Sequence, residues 1–148
     1  MKVFKFGGAS VKDANAVRNV SDILSLFDGE KITVVVSAMG KTTNKLEEVV
    51  NASANRDRKM YMALVDDLYD FHIKLLGELF LEKHYAIYNL IDDIFEKLRD
   101  RYSETFSDNY SFEYDQIVSL GEVISSHILA AFLFEKGHSA GWADARKH

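Results

Sequence analysis

Val3-Phe4-Lys5-Phe6-Gly7-Gly8, together with Ile32-Thr33-Val34-Val35-Val36 further along the chain, decides the fold. The first stretch is a short strand-like run that ends at two glycines, which are typical of a turn. The second is a continuous β-branched run, which predicts a strand buried on both faces. Apolar residues recur between them at helical spacing, from about Asp13 to a turn at Asp28-Gly29. Strand, helix and strand in this order predict a parallel pair with a right-handed crossover.

The middle of the chain is predicted to be helical, because two apolar stripes recur at spacings of three and four. The stripes consist of Leu64, Leu68, Phe71, Leu75 and Leu79, and then of Ile87, Ile91, Ile94 and Leu98. We interpret both as surfaces for simple helix–helix packing. A further helix over 114–136 is apolar on nearly all sides and should be the most buried, with Gly137 as its stop. A further strand is expected over 139–145.

The predicted fold class is therefore α/β, with a parallel-sheet βαβ core and an inserted helical group. We find no internal repeat, low-complexity tract or linker in the 148 residues.

Composition and charge argue against several classes of partner. The net charge is −5, and Lys and Arg are scattered, so neither nucleic acid nor an anionic membrane is an expected partner. The chain has no cysteine, which excludes disulfides and thiolate zinc sites and suits a cytoplasmic protein. The apolar run over 117–134 contains Glu122, His127 and serines, so we interpret it as a buried helix and not a membrane span. The five histidines show no spacing typical of metal ligands.

The first candidate site is Lys5-Phe6-Gly7-Gly8-Ala9-Ser10. Paired glycines after a strand let the backbone approach a ligand closely, and their N–H groups beside a lysine can bind a phosphate-like anion. The N-terminal dipole of the following helix would strengthen such a site. The alternative is that the glycines only form the turn between strand and helix.

The second candidate site is Ser37-Ala38-Met39-Gly40-Lys41-Thr42-Thr43-Asn44. Its Gly-Lys-Thr sequence mimics the end of a Walker A loop, but that motif also needs a glycine where Val35 stands, so we exclude a P-loop. What remains is a hydroxyl-rich loop at the carboxyl end of a strand, where open α/β sheets bind ligands.

The third candidate is Glu122, the only formally charged residue between Ile117 and Phe134. A carboxylate in so apolar a helix is costly unless it is paired. Gly121 and the serines at 125 and 126 leave room beside it. Glu122 therefore either lies at an exposed edge of the helix or is kept to hold a cationic group.

Together these sequences resemble the aspartate kinases, which are members of the amino acid kinase family. Lys5 to Ser10 is similar to their Lys-Phe-Gly-Gly-Thr-Ser signature, with Ala9 in place of the usual threonine. The second candidate loop, Ser119-Leu120-Gly121-Glu122 before Ser125, and Asp144-Ala145-Arg146 also match, in the family's order. The resemblance spans essentially the whole chain and implies the N-terminal half of a three-layer αβα fold.

The resemblance also implies a reaction, namely phosphoryl transfer from MgATP to the side-chain carboxylate of L-aspartate. Lys5 would be catalytic, stabilising the transferring phosphoryl group. The ATP phosphates would be bound by the first loop, through Lys5, Gly7, Gly8 and Ser10. Aspartate would be bound by Ser37, Thr43 and Glu122, with Glu122 on the substrate ammonium.

The implied chemistry needs little from the protein beyond alignment of two anions and neutralisation of charge. A carboxylate with a pKa of about 3.9 is already ionised at neutral pH, so no general base is required. Mg²⁺ would arrive with the nucleotide, and we expect no metal ligands from this chain. We also expect a homo-oligomer.

Family members are much longer than 148 residues, so we expect residues 1–148 to be the N-terminal part of a catalytic domain. The nucleotide-binding half and the regulatory domains would lie elsewhere, and this chain alone should be inactive. Two alternatives stay open: another amino acid kinase with a different small substrate, and a non-catalytic module that binds an amino acid or a protein partner.

Overall fold

The computed structural model describes residues 1–82, 85–102, 107 and 109–147. It has two strands, six α-helices and two 3₁₀ turns in these residues. In chain order they are β1 (Lys2–Phe6), a 3₁₀ turn (Gly8–Val11), α1 (Ala14–Ser25), β2 (Ile32–Val36), α2 (Thr42–Ala54), α3 (Arg58–Leu79), α4 (Tyr85–Arg101), α5 (Tyr110–Val118), α6 (Leu120–Glu135) and a 3₁₀ turn (Ala145–Lys147).

β1 and β2 form the predicted parallel pair, in a register that runs from Lys2 opposite Ile32 to Phe6 opposite Val36. Phe6 and Val36 are buried in the main core, whereas Val3 is 64% and Val35 47% exposed on the alternate positions. The prediction that β2 is buried on both faces is therefore wrong, because Thr33 and Val35 are exposed.

The helical group is confirmed, and it consists of α2 to α5 packed on one another and on α6. Both apolar stripes face the core: every member is buried except Ile94, which is half-buried, and Phe71, which lies at the surface. Thr42 to Asn44, predicted as loop, already form the first turn of α2.

The helix predicted over 114–136 is interrupted at Ser119, which separates α5 from α6. Ser119 keeps helical dihedral angles, φ −62° and ψ −16°, so the interruption is local. α6 is buried along one side only, since Phe134 is 67% exposed. Gly137 ends the segment as predicted, with φ +89°, a conformation that glycine adopts without strain. By length and apolar composition alone Tyr110–Glu135 could cross a membrane, a test that the core helix of a soluble protein also passes, and half of its most apolar window is buried inside the fold.

The strand predicted over 139–145 is absent, because this segment pairs with neither β1 nor β2. Side-chain contacts with α6 hold the segment 139–145 in place instead of strand pairing. Trp142 stacks on His127 of α6 with ring centroids 3.8 Å apart, and its indole N–H donates to the Ser126 hydroxyl at 2.9 Å. The segment, β2 and α6 together line a cavity of about 1160 Å³.

Candidate functional site

The first two candidate loops touch each other at the carboxyl ends of the two strands. Gly8 makes this approach possible, because a Cβ atom at this position would lie 3.0 Å from the carbonyl oxygen of Ala38 and 3.6 Å from that of Gly40. A larger residue would push the loops apart. The two sequences therefore form one surface, which spacing along the chain alone does not show.

Lys5 lies exposed on β1, two residues before Gly7. Among the described residues no carboxylate forms an ion pair with it, whereas Lys2 on the same strand binds Glu30 at 2.7 Å. Gly7 borders open space in the described part of the chain, since a Cβ atom on it would meet no heavy atom there within 4 Å beyond its chain neighbours. Ser10 is also exposed, and its N–H donates to the Gly7 carbonyl at 2.9 Å. The loop thus presents a positive charge beside an accessible backbone.

The helix whose N-terminal dipole was expected to strengthen the first loop does not start directly after the glycines. A 3₁₀ turn follows Gly7, and the N-terminus of α1 is capped by its own Asp13, whose carboxylate accepts the Ala16 N–H at 2.8 Å. The N-terminus of α2, inside the second loop, has no such side-chain cap. Its first residue, Thr42, is 2% exposed and its hydroxyl has no partner among the described residues, while Thr43 is half-buried. The uncapped N–H groups of α2 therefore lie in the second loop, where they favour an anion.

Glu122 lies in the first turn of α6 and is exposed. An exposed carboxylate can still bind a cationic group, so its role stays a prediction. Glu122 nevertheless contacts the second loop, because its carboxylate accepts the Ala38 N–H at 3.4 Å. Ser125, one turn further on, donates its hydroxyl to the Ser37 carbonyl at 2.7 Å. Gly121 lets the helix approach, since a Cβ atom there would come within 2.7 Å of the Ala38 Cβ. α6 thus places a carboxylate directly against the loop after β2.

The Glu122 carboxylate lies against the large cavity between α6, β2 and the segment 137–146. Glu122 and Ser126, on one side of α6, line it together with β2 and the segment 137–146. Where His127 stacks on Trp142, burial lowers the pKa of His127, and the nearby Asp144 carboxylate opposes this effect. Hydrogen bonds from Arg146 lower the pKa of Asp144 itself, so Asp144 is ionised and already paired.

The structure brings the three motifs together where Gly8 and Glu122 each approach the second loop. Among the described residues, no side-chain hydrogen bond or ion pair joins Lys5, Ser10 or Thr43 to another motif. The structure also adds residues that sequence reasoning missed. Gly121 and Ser125 were noted only as space beside Glu122, whereas both form the contact between α6 and the second loop. The uncapped start of α2 was also missed. The sequence did contain a signal for it. Lys41 stands immediately before Thr42, at the position where Asn, Asp, Ser or Thr usually caps the first turn of a helix.

The sequence profile of the amino acid kinase family matches residues 1–148, the whole chain. The chain belongs to the amino acid kinase family. The predicted fold class is confirmed by solved structures of this family. The chain superimposes with a TM-score of 0.83 on E. coli aspartokinase III in complex with aspartate and ADP, at 27% identity, covering 99% of this chain and 32% of that one. It matches the aspartate kinase of Clostridium acetobutylicum in fold, with a TM-score of 0.68 at 21% identity over 90% of this chain and 29% of that one.

Curated relatives confirm the resemblance to aspartate kinases. The chain is 31% identical over 154 residues to aspartokinase 2 of Arabidopsis thaliana, covering 97% of this chain and 26% of the relative. It is 30% identical over 155 residues to bifunctional aspartokinase/homoserine dehydrogenase 1 of Zea mays, covering 98% of this chain and 16% of the relative. The chain therefore spans about a quarter or less of each, and the roles of its individual site residues stay predictions.

Proposed function

We propose that this chain contributes to phosphoryl transfer from MgATP to the side-chain carboxylate of L-aspartate, giving 4-phospho-L-aspartate. One observation carries the proposal: a phosphate-type loop, whose lysine has no ion-pair partner among the described residues, touches a second loop against which α6 places a carboxylate. A cationic site beside an anionic one suits a reaction between a nucleotide and an amino acid. The similarity to aspartokinase III, solved with aspartate and ADP, supports the choice of both substrates.

The nucleotide side is assigned to the first loop. Lys5 would neutralise charge on the transferring phosphoryl group, which is the main contribution a protein makes to this chemistry. Gly7, Gly8 and Ser10 would surround the phosphates, and the open space beside Gly7 fits a close backbone approach. Mg²⁺ would come with the nucleotide, as is usual for phosphoryl transfer.

The amino acid side is assigned to Ser37, Thr43 and Glu122. The Glu122 carboxylate would bind the substrate ammonium through a charge-assisted hydrogen bond. Thr43, in the uncapped first turn of α2, would face a substrate carboxylate, as helix N-termini favour anions. No residue has to remove a proton, since the substrate side chain is already ionised.

The wider role follows from the same proposal. The reaction would be the first step of the pathway to lysine, threonine and related amino acids, in the cytoplasm. Residues 1–148 would form the N-terminal part of the catalytic domain of a homo-oligomer, with further nucleotide contacts supplied by other segments of the full-length protein. Sedimentation of that protein tests the oligomer, and a single monomeric species would contradict it.

A substrate panel tests the proposed function. The full-length protein is incubated with MgATP and one candidate at a time, namely L-aspartate, L-glutamate, N-acetyl-L-glutamate or carbamate, and release of ADP is measured. We expect release to depend on L-aspartate. Release with another substrate would favour a different amino acid kinase, an alternative that the replacement of the signature threonine by Ala9 keeps open. Binding of aspartate without ADP release in any mixture would favour a non-catalytic module.

A further inference from the structure

The peptide unit between Ser37 and Ala38 is held by α6 at both of its polar groups. Its carbonyl oxygen accepts the Ser125 hydroxyl at 2.7 Å, and its N–H donates to the Glu122 carboxylate at 3.4 Å. A peptide unit is planar, so its carbonyl and its N–H cannot turn independently. A bond that fixes the carbonyl oxygen therefore also fixes the direction of the N–H that meets Glu122.

Ser125 is well suited to fix this carbonyl. Its side chain is fully buried, at 0% exposed, and its hydroxyl oxygen is 2.7 Å from the acceptor, the usual length for a hydrogen bond between two oxygens. The preceding peptide is fixed as well, because the Ser37 N–H donates to the Phe6 carbonyl at 3.0 Å and so extends the sheet pairing. The N–H that points at Glu122 thus starts from a backbone anchored to both the sheet and α6.

The neighbouring serine, Ser126, makes different hydrogen bonds. Ser126 donates to the Val123 carbonyl of its own helix and accepts the indole N–H of Trp142. Only Ser125, among the described residues of α6, reaches from the helix to the backbone of the second loop by a side-chain hydroxyl.

From this geometry we infer that Ser125 is a positioning residue for the proposed aspartate site. It acts through the Ser37–Ala38 peptide on the Glu122 carboxylate and touches no reacting atom. The inference rests on the proposed function, since Glu122 must bind the substrate ammonium for its orientation to matter. Loss of the hydroxyl should free the peptide to turn, leave Glu122 without a fixed partner and weaken aspartate binding selectively.

A double-mutant cycle in the full-length protein tests this. Ser125→Ala should raise the KM for aspartate about three- to tenfold, the effect of one hydrogen bond, and leave the KM for ATP within about twofold. Adding Ser125→Ala to Glu122→Gln should change the aspartate KM by less than about twofold, because residues that act through one another are not additive. The matched control is Ser25→Ala, which removes a hydroxyl bonded to the Ser21 carbonyl at 3.0 Å on α1 and should alter neither KM.

Ser125→Cys keeps the side chain nearly the same size and weakens the donor, so it replaces the alanine variant if that variant does not fold. Two results would overturn the inference: an aspartate KM equal to that of the wild type beside a lowered melting temperature, or a full Ser125 effect in the Glu122→Gln background. Either result leaves the proposed function intact when the wild-type protein consumes aspartate. A wild type with no aspartate-dependent turnover would instead refute the proposed function, and this inference with it.

Discussion

Lys5 is the residue on which the proposed chemistry depends most. It is an exposed lysine with no ion-pair partner among the described residues, beside a glycine that borders open space. In the full-length protein, Lys5→Ala should lower kcat by about 10²- to 10³-fold, the usual cost of losing one preorganised charge contact, with little change in the aspartate KM. Steady-state kinetics measure both constants.

Lys2→Ala, on the same strand and paired with Glu30, is the control that should retain kcat. A kcat for Lys5→Ala within a few-fold of the wild type would rule out the phosphate role.

Glu122 is the corresponding residue on the amino acid side. Glu122→Gln keeps the size of the side chain and removes its charge, so the aspartate KM should rise about 10- to 150-fold while the ATP KM stays nearly constant. Glu135→Gln, at the far end of the same helix, is the control and should alter neither constant. An unchanged aspartate KM with a lower melting temperature would show that Glu122 is structural.

At the scale of elements, the contact between α6 and the second loop depends on Gly121. A Cβ atom there would lie 2.7 Å from the Ala38 Cβ, so Gly121→Ala must push the helix and the loop apart. We expect a loss of about 1–3 kcal/mol in the free energy of unfolding, measured by urea denaturation, together with a raised aspartate KM. Gly77→Ala is the control. Among the described residues outside the helix's own backbone, only the Tyr88 hydroxyl, at 4.0 Å, is near that position on α3, and alanine favours a helix by about 0.5–1 kcal/mol. Equal stability changes in the two variants would contradict the close approach.

α3 contains a group that should make the fold sensitive to acid. His72 is fully buried, its Nδ1–H donates to the Leu68 carbonyl at 2.7 Å, and burial lowers its pKa from 6.5 to about 4. The unfolded chain therefore takes up this proton near pH 6.5 and the folded chain only near pH 4. Stability should fall as the pH drops through this range, by up to about 3 kcal/mol, and the loss is complete below it.

His72→Leu, a substitution of similar volume, removes this contribution and leaves the carboxylates unchanged. Urea denaturation near pH 7, 5.5 and 4 should show the wild type losing more stability than the variant, with the gap growing toward pH 4. Parallel stability curves for the two proteins would show that His72 does not titrate as its burial indicates.

Local pattern was enough to predict some elements and not others. The β1–α1–β2 unit and the stripes of α3 and α4 follow from spacing along the chain, because each depends on a few neighbouring residues. The burial of β2 and a strand over 139–145 depended instead on which elements lie alongside, and both predictions were wrong. The run Ile32–Val36 forms a strand whether or not both sides of it are covered, and 139–145 pairs with neither of the two described strands.

The candidate site, too, could be predicted from the sequence only in part. The motif residues Lys5 and Glu122 could be found from the sequence, since their types and neighbours carry the signal. The contacts that hold the site could not, because Ser37 and Ser125 are 88 positions apart and Ala38 and Glu122 are 84 apart. Only the folded chain shows that Gly8 and Gly121 are the places where the three candidate sequences meet.

For the whole molecule, the central claim is that the side-chain carboxylate of aspartate receives a phosphoryl group. An acyl phosphate reacts with hydroxylamine, so trapping reveals which carboxylate was activated. The full-length protein is incubated with MgATP, L-aspartate and hydroxylamine, and the product is identified by mass spectrometry against both authentic aspartyl hydroxamates. The account predicts the 4-hydroxamate, formed in step with ADP and lost in Lys5→Ala. ADP release without any hydroxamate, or formation of the 1-hydroxamate, would contradict it.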